Sequence, residues 1–286
     1  MLALLASACG SDDDNNNAGT PQMIAVLSAF PSELAPVLAQ ATVDSTTTIN
    51  NRVFRLGTLG GVPTIMGLTG IGLVNAANTT RAVLEQFPVT GVVVSAVAGS
   101  TLQIGDVAVP AEWSLADGSV HQTDPHWLAL AATITGSLSN CGMVTANGKV
   151  QSVCLPNPPA MAIGGHGQSA DTYGTTAVAC TPNGGDVFGC DVLPNTGVLQ
   201  GGIDQIVHAR RVTADPDVAD METAAIAREA AQHGVPFIAF RATSDGAGDP
   251  LGLPGFPTQF FAYYELAAHN AAGATVGFLH RLSGAK

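Results

Sequence analysis

Five short stretches carry the side chains whose types and spacing could do chemistry. In PFIAFRATSDGAGDP (236–250) a continuous apolar run ends on Arg241, Thr243, Ser244 and Asp245. Such a run, bounded by proline and glycine, reads as a buried central strand. Charge at its carboxyl end is either a capped loop or part of a site, since open α/β sheets bind ligands at that end. VLSAFPSEL (26–34) places Glu33 just after a strand, at the start of a helix. Alone, that carboxylate is explained by the helix macrodipole. GLTGIGLVNAANTT (67–80) is a glycine-rich turn into a helix, able to cradle an anion on free amides or simply to pack strand against helix. GVVVSAVAGS (91–100) ends in small residues, Ala98 and Gly99 among them, that let a ligand approach the backbone. VADMETAAIA (218–227) sets Asp220 and Glu222 on either side of Met221. The helix that follows is nearly all apolar, so it is buried and Glu222 needs partners, unless the pair is a solvated helix start.

These stretches must be positioned by regular elements, and the hydrophobic pattern supplies them. Residues 23–29 read as a first strand, followed by a helix near Ser32–Ala41. Segments 52–59 and 63–69 form a hairpin turned at Gly60-Gly61, Val74–Phe87 is an amphipathic helix, and 91–99 and 106–110 are strands. From about 112 to 195 the pattern dissolves into glycine, proline, asparagine, threonine and four cysteines, as a long loop pinned by those cysteines would. Regularity returns with a strand at 205–212, a helix at Val218–His233, the strand at 236–240 and a final helix over Thr258–Leu282. Strands alternating with helices argue for one three-layer α/β domain over 23–286, with an insertion at about 112–195.

Composition narrows the function classes. The 286-residue chain has a net charge of −12, which argues against a nucleic-acid or acidic-membrane partner, because either requires a basic footprint. The seven histidines lack metal-ligand spacing, so no metal is assigned. Leu2–Ala8 is a short apolar stretch ending in small residues before Cys9, and an Asp/Asn tract follows. This pattern is similar to the end of a bacterial lipoprotein signal, with Cys9 acylated and residues 10–22 a flexible tether. The protein would then face the periplasm from the cell envelope, touching membrane only through the lipid. An exported chain would pair Cys141, Cys154, Cys180 and Cys190 as two disulfides, with three connectivities open.

The order of these stretches resembles the nucleoside phosphorylase and nucleosidase superfamily, above all its methylthioadenosine/S-adenosylhomocysteine nucleosidase branch. The resemblance rests on AVLSAFPSEL, GLTGIGLVNAANTT, VAGS…IGDVAVP, GGIDQIV, ADMETAAIA and VPFIAFRATSDGAGD. It covers most of 23–110 and 201–286, and the Met-Glu helix followed by a strand ending Arg-x-x-Ser-Asp is its most specific part. It implies a three-layer phosphorylase/hydrolase-like fold with a mixed central sheet flanked by helices, no cofactor, and a homodimer. By the same resemblance Asp245 protonates the departing purine, supported by Ser244, and Glu33 activates water beside Arg241. Glu222 would take the ribose hydroxyls, Met221 would line the sugar, and Asp204, Ile206 and Val207 would form a base-binding strand.

Three departures from the family pattern bear on specificity. Phe30, Pro31 and Ser32 stand where nucleosidases often carry acidic residues. Ile206 stands where an aromatic commonly stacks on adenine. No arginine matches those that hold phosphate in the phosphorylases, and anionic phosphate needs cationic or multiple amide donors. Water is therefore the expected nucleophile. The alternatives are a phosphorylase drawing on Arg52 or Arg55 of a neighbouring subunit, and a non-catalytic nucleoside-binding lipoprotein on the same scaffold.

Overall fold

A computed structural model describes residues 22–136, 138–146, 149–192 and 217–284. The first half runs β1 (Met23–Ser28), α1 (Pro31–Leu38), β2 (Thr42–Ile49), β3 (Arg52–Leu59), β4 (Val62–Leu68), α2 (Leu73–Gln86), β5 (Val89–Gln103) and β6 (Val107–Val109). It continues with β7 (Glu112–Leu115), β8 (Val120–Gln122), α3 (Pro125–Ala131), β9 (Cys141–Ala146), β10 (Lys149–Cys154), β11 (Met161–Ile163), β12 (His166–Ser169) and α4 (Gly185–Phe188). The last described segment holds β13 (Val218–Asp220), α5 (Thr223–Gln232), β14 (Phe237–Ala247) and α6 (Thr258–Gly284).

Twelve of these strands form one mixed sheet, in the order β2-β3-β4-β1-β5-β13-β12-β7-β8, with β14 on β5 and β6, and β11 on β6. The core strands β4, β1, β5 and β14 pair in parallel. Successive residues of a strand face opposite sides of a sheet, and the two cores divide along that alternation. On β14, Ile238 and Phe240 pack with α1, α3 and α6, whereas Phe237 and Ala239 pack with α2 and α5. On β1, Val26 takes the first side and Ala25 and Leu27 the second. Both faces of the sheet are therefore covered by helices. This explains the uninterrupted apolar runs, since a strand buried on both faces has no polar side to show.

Two expectations from the sequence are corrected. Residues 112–192 are not a pinned loop: β7, β8, β11 and β12 all belong to the main sheet, and β12 pairs in parallel with both β7 and β13. These strands are three or four residues long, too short for alternation to register in the sequence. The helix expected from Val218 begins at Thr223, because Val218–Asp220 is a strand between β12 and β5. Edge strand β2 (TVDSTTTI) was also not anticipated, since its side chains are mostly exposed and lack an apolar face. The cysteines pair as Cys141–Cys154, which closes the β9–β10 hairpin, and Cys180–Cys190.

Candidate active site

Five chain segments leave the sheet at one end and surround an open cavity of about 60 Å³. After β1 come Phe30 and Glu33, and the end of β5 supplies Val97, Ala98 and Gly99. The β4–α2 turn adds Ile71, and β13 leads into Asp220, Met221 and Glu222. The end of β14 contributes Arg241, Ser244 and Asp245, while Phe256 and Phe260 close the apolar side. All eight of the predicted site residues that fall within the described chain thus share one cavity. Asp204, Ile206, Val207 and Cys9 lie outside the described residues.

Glu33 serves α1 and the cavity at once. Its Oε2 accepts from the amides of Ala29 at 2.7 Å and Phe30 at 3.3 Å, closing back on the helix N-terminus as a capping glutamate does. Its Oε1 accepts from Val97 N at 2.8 Å, which ties α1 to β5. Burial raises its pKa to about 7, against the opposing pull of Arg241 and of the three amides. A group poised there can exchange a proton near neutrality.

Arg241 is 1% exposed and organises the inner wall. Its Nε lies 2.9 Å from Asp220 Oδ2 and 2.8 Å from Thr223 Oγ1, and Nη1 donates to Val97 O at 2.8 Å. Nη2 reaches Glu222 Oε2 at 3.3 Å, and Nη1 stands 3.9 Å from Glu33 Oε1. Burial draws the guanidinium pKa down, but Asp220, Glu222 and Glu33 together hold it above its usual value. Asp220 is a structural hub. It accepts from the hydroxyls of Ser169 and Thr223 and from the amides of Glu222 and Thr223, so it caps α5 and joins β12 to β13.

Glu222 is buried rather than part of a solvated helix start, and its Oε1 accepts from Gly72 N at 2.9 Å. Burial raises its pKa to about 8, and Asp220 and Glu33 push the same way against Arg241 and Gly72. The glycine-rich turn, read as a possible anion cradle, thus already holds carboxylates. Gly72 N takes Glu222, and Leu73 N takes Asp171 at 2.6 Å. At the other end of the cavity, the Ser244 hydroxyl lies 3.0 Å from Asp245 Oδ1 and 3.2 Å from Ala98 O. Its one proton can serve either acceptor, so Ser244 can follow Asp245 through a change of protonation.

Sequence reasoning missed Asp171 and Tyr173. Asp171 Oδ1 accepts from Tyr173 N at 2.9 Å, and a Cβ on Gly72 would come within 2.8 Å of the Tyr173 ring. The ring is half-buried beside the Phe30 and Ile71 cluster. Burial, then Glu222 and Asp171, push its phenol up to about 12. Both residues follow β12, and the pairing of β12 with β13 is what brings them to Glu222. The only sequence signal was an Asp and a Tyr in a glycine-rich stretch.

Neither arginine suggested for phosphate offers a free guanidinium. Arg55 Nη2 pairs with Asp191 at 2.5 Å, and Arg52 is enclosed by its own chain, donating to the carbonyls of Asn50 and Val178.

Comparisons with known proteins follow this geometry. The model of the phosphorylase superfamily matches residues 23–150 and 173–280. An uncharacterized protein of Mycobacterium tuberculosis is 37% identical over 188 residues, 58% of this chain and 75% of its own. The 5′-methylthioadenosine/S-adenosylhomocysteine nucleosidase of Shewanella oneidensis is 27% identical over 262 residues, 91% of this chain and 97% of its own. The crystal structure of the corresponding nucleosidase from Colwellia psychrerythraea, in complex with adenine, superposes with a TM-score of 0.62 at 21% identity, covering 92% of this chain and 96% of that one.

Proposed function

Since the chain belongs to the phosphorylase superfamily, and since Glu33 occupies the amides that would otherwise hold an anion, we propose that it hydrolyses the N-glycosidic bond of a purine nucleoside or a 5′-substituted adenosine. One observation carries the choice of water over phosphate. The amides of Ala29, Phe30 and Val97 converge on the Glu33 carboxylate. A phosphate there would meet a buried acid in place of donors, and Arg241, the one cation lining the cavity among the described residues, already faces three carboxylates. The similarity to nucleosidases over nine-tenths of the chain supports the same reading.

In this mechanism Glu33 takes a proton from the water whose oxygen bonds to the anomeric carbon. The glycosidic carbon–nitrogen bond breaks, and Asp245 gives its proton to N7 of the departing purine, a poor leaving group as an anion. Ser244 steadies Asp245. Glu222 and Met221 hold the sugar, where negative charge favours an oxocarbenium-like transition state, and Ala98 and Gly99 leave room for the ligand against the backbone. Asp204, Ile206 and Val207 remain proposed base contacts.

The test is a nucleoside panel with and without phosphate, following free base and sugar product. Base release without phosphate is the expected result. A strict phosphate requirement would make the protein a phosphorylase, and binding without turnover would make it a carrier. The proposal extends to a homodimer anchored in the cell envelope through Cys9. Incorporation of labelled fatty acid that is lost in Cys9→Ala, and the mass in solution by light scattering, test those two parts.

A further inference from the structure

Asp245, the acid proposed for the leaving base, breaks the regular alternation of its strand. Thr243 of β14 lies opposite Ala98 of β5 and Asp245 lies opposite Gly99, so Ser244 is the extra residue of a β-bulge. A regular strand turns successive side chains to opposite faces, yet Ser244 and Asp245 both line the cavity. The bulge allows this, because it re-aims the side chains it carries. The register breaks again between Asp245 and Ala247, which pairs with Gln103. Gly246 lies inside that second break, and its amide donates to the side chain of Gln259, Oε1 at 3.0 Å. Its place is tight as well: a Cβ on Gly246 would fall 2.5 Å from Leu102 O and 2.6 Å from Thr243 Cγ2.

Gln259 is 7% exposed and stands in the first turn of α6, one residue before Phe260 of the cavity wall. Its orientation is set by the loop between β14 and α6. Nε2 faces two acceptors, Leu253 O at 3.3 Å and Asp249 Oδ2 at 3.5 Å, so the side-chain oxygen is the atom turned to Gly246. Asp249 is fixed in turn. It accepts from the amides of Leu251 at 2.8 Å and Leu253 at 2.5 Å, and from the hydroxyl of the fully buried Tyr263. The Ser244 hydroxyl reaches the Asp245 carboxylate itself. The Gly246 amide belongs to the peptide plane that follows Asp245, and Gln259 is what grips that plane.

We propose that Gln259 is a positioning residue for the leaving-group acid: it holds the peptide after Asp245, preserves the bulge, and so keeps the carboxylate aimed into the cavity. This inference rests on the nucleoside-hydrolase reading. Gln259 acts through Asp245 alone, so its loss should matter only where Asp245 matters.

The test compares release of purine from a nucleoside with release of para-nitrophenol from the glycoside of the same sugar. Para-nitrophenolate is a weak base and departs without the proton that a purine anion needs. Gln259→Met should lower kcat for purine release by about tenfold or more, with kcat for the nitrophenyl glycoside within about threefold of wild type. In the Asp245→Asn background the same substitution should lower purine release no further, since residues that act as a unit are not additive. Equal losses on both leaving groups overturn the proposal and mark a general role for the loop. So does an unchanged kcat for purine, and so does a loss in the double variant equal to the product of the single losses. If Gln259→Met does not fold, Gln259→Asn takes its place with the same expected and overturning outcomes, its oxygen one methylene short of the Gly246 amide. If the wild type turns over no nucleoside, the hydrolase reading fails, and the titration of the Asp245 carboxyl, followed by carbon NMR, judges Gln259. A titration that moves in Gln259→Met supports the positioning role, and an identical one overturns it.

Discussion

Arg241 Nη2 meets Glu222 Oε2 at 3.3 Å, while the same guanidinium pairs with Asp220 at 2.9 Å through Nε. One cation thus balances the inner wall of the cavity, with Glu33 3.9 Å from Nη1. Removing it in Arg241→Met would leave buried carboxylates without a cation, and breaking a buried pair in this way destabilises by about 3–5 kcal/mol. Urea unfolding measures the loss. A change below about 1 kcal/mol would show that Glu33 and Glu222 are protonated in the native state and do not need the cation.

Asp245 tests the acid. In Asp245→Asn the new side-chain oxygen can still accept from Ser244, so stability should stay within about 1 kcal/mol of wild type. Release of purine should fall by about 10²–10⁴-fold, the usual share of general acid catalysis. Unchanged base release in the variant would remove Asp245 from the chemistry.

Glu33 tests the base. With its pKa raised to about 7 by burial, the ionised form able to accept a proton is lost as pH falls through that value. The kcat/KM profile should therefore rise between about pH 6 and 8. Glu33→Gln should lower turnover by about 10²–10⁴-fold. It should also destabilise by about 1–2 kcal/mol, because its amide NH₂ must face either Val97 N or the Ala29 and Phe30 amides. A flat profile in this range would exclude Glu33 as the base.

The two disulfides divide function from stability. Cys141–Cys154 closes a hairpin on the Tyr263 and Leu266 side of α6, away from the site, whereas Cys180–Cys190 ties together the segment that packs behind Ile71, a residue of the candidate site, and beside Arg52. Loop-closure entropy assigns each bridge about 3 kcal/mol. The double serine variant at 141 and 154 should lower stability with kcat/KM kept. The variant at 180 and 190 should lower stability and also alter KM. Equal effects on KM would mean that the wall beside Arg52 plays no part in binding.

Legibility in the sequence followed the strength of the local pattern. Glu33, Arg241 and Asp245 could be found because each ends or follows an apolar run on a strand buried on both faces, where charge stands out. Glu222 was visible as an acid opening an apolar helix, but its partners Gly72 and Arg241 lie 150 and 19 residues away and only the folded sheet joins them. Asp220 was read as one of a charge pair, and its role as the cap of α5 depends on Ser169 from β12. Asp171 and Tyr173 were hidden for a related reason. Strands of three or four residues such as β7 and β12 are specified by their neighbours in the sheet, and no periodicity in 112–192 announces them.

The paired acids also set the pH dependence of folding. Burial raises both Glu33 and Glu222 from 4.5, to about 7 and about 8. The native state therefore binds more protons than the unfolded chain between those values, and stability falls as pH rises. Their contribution is fully present below about pH 4.5 and lost as pH climbs through 7 to 8. Unfolding free energy should thus decline from pH 5 to pH 8. In Glu222→Gln the decline should be shallower, because one of the two groups no longer titrates, although the Gly72 amide still finds an acceptor in the glutamine oxygen. Urea titrations at pH 5, 6, 7 and 8 on both proteins measure the slopes. Identical slopes would show that Glu222 is ionised throughout the range, held so by Arg241 against its burial.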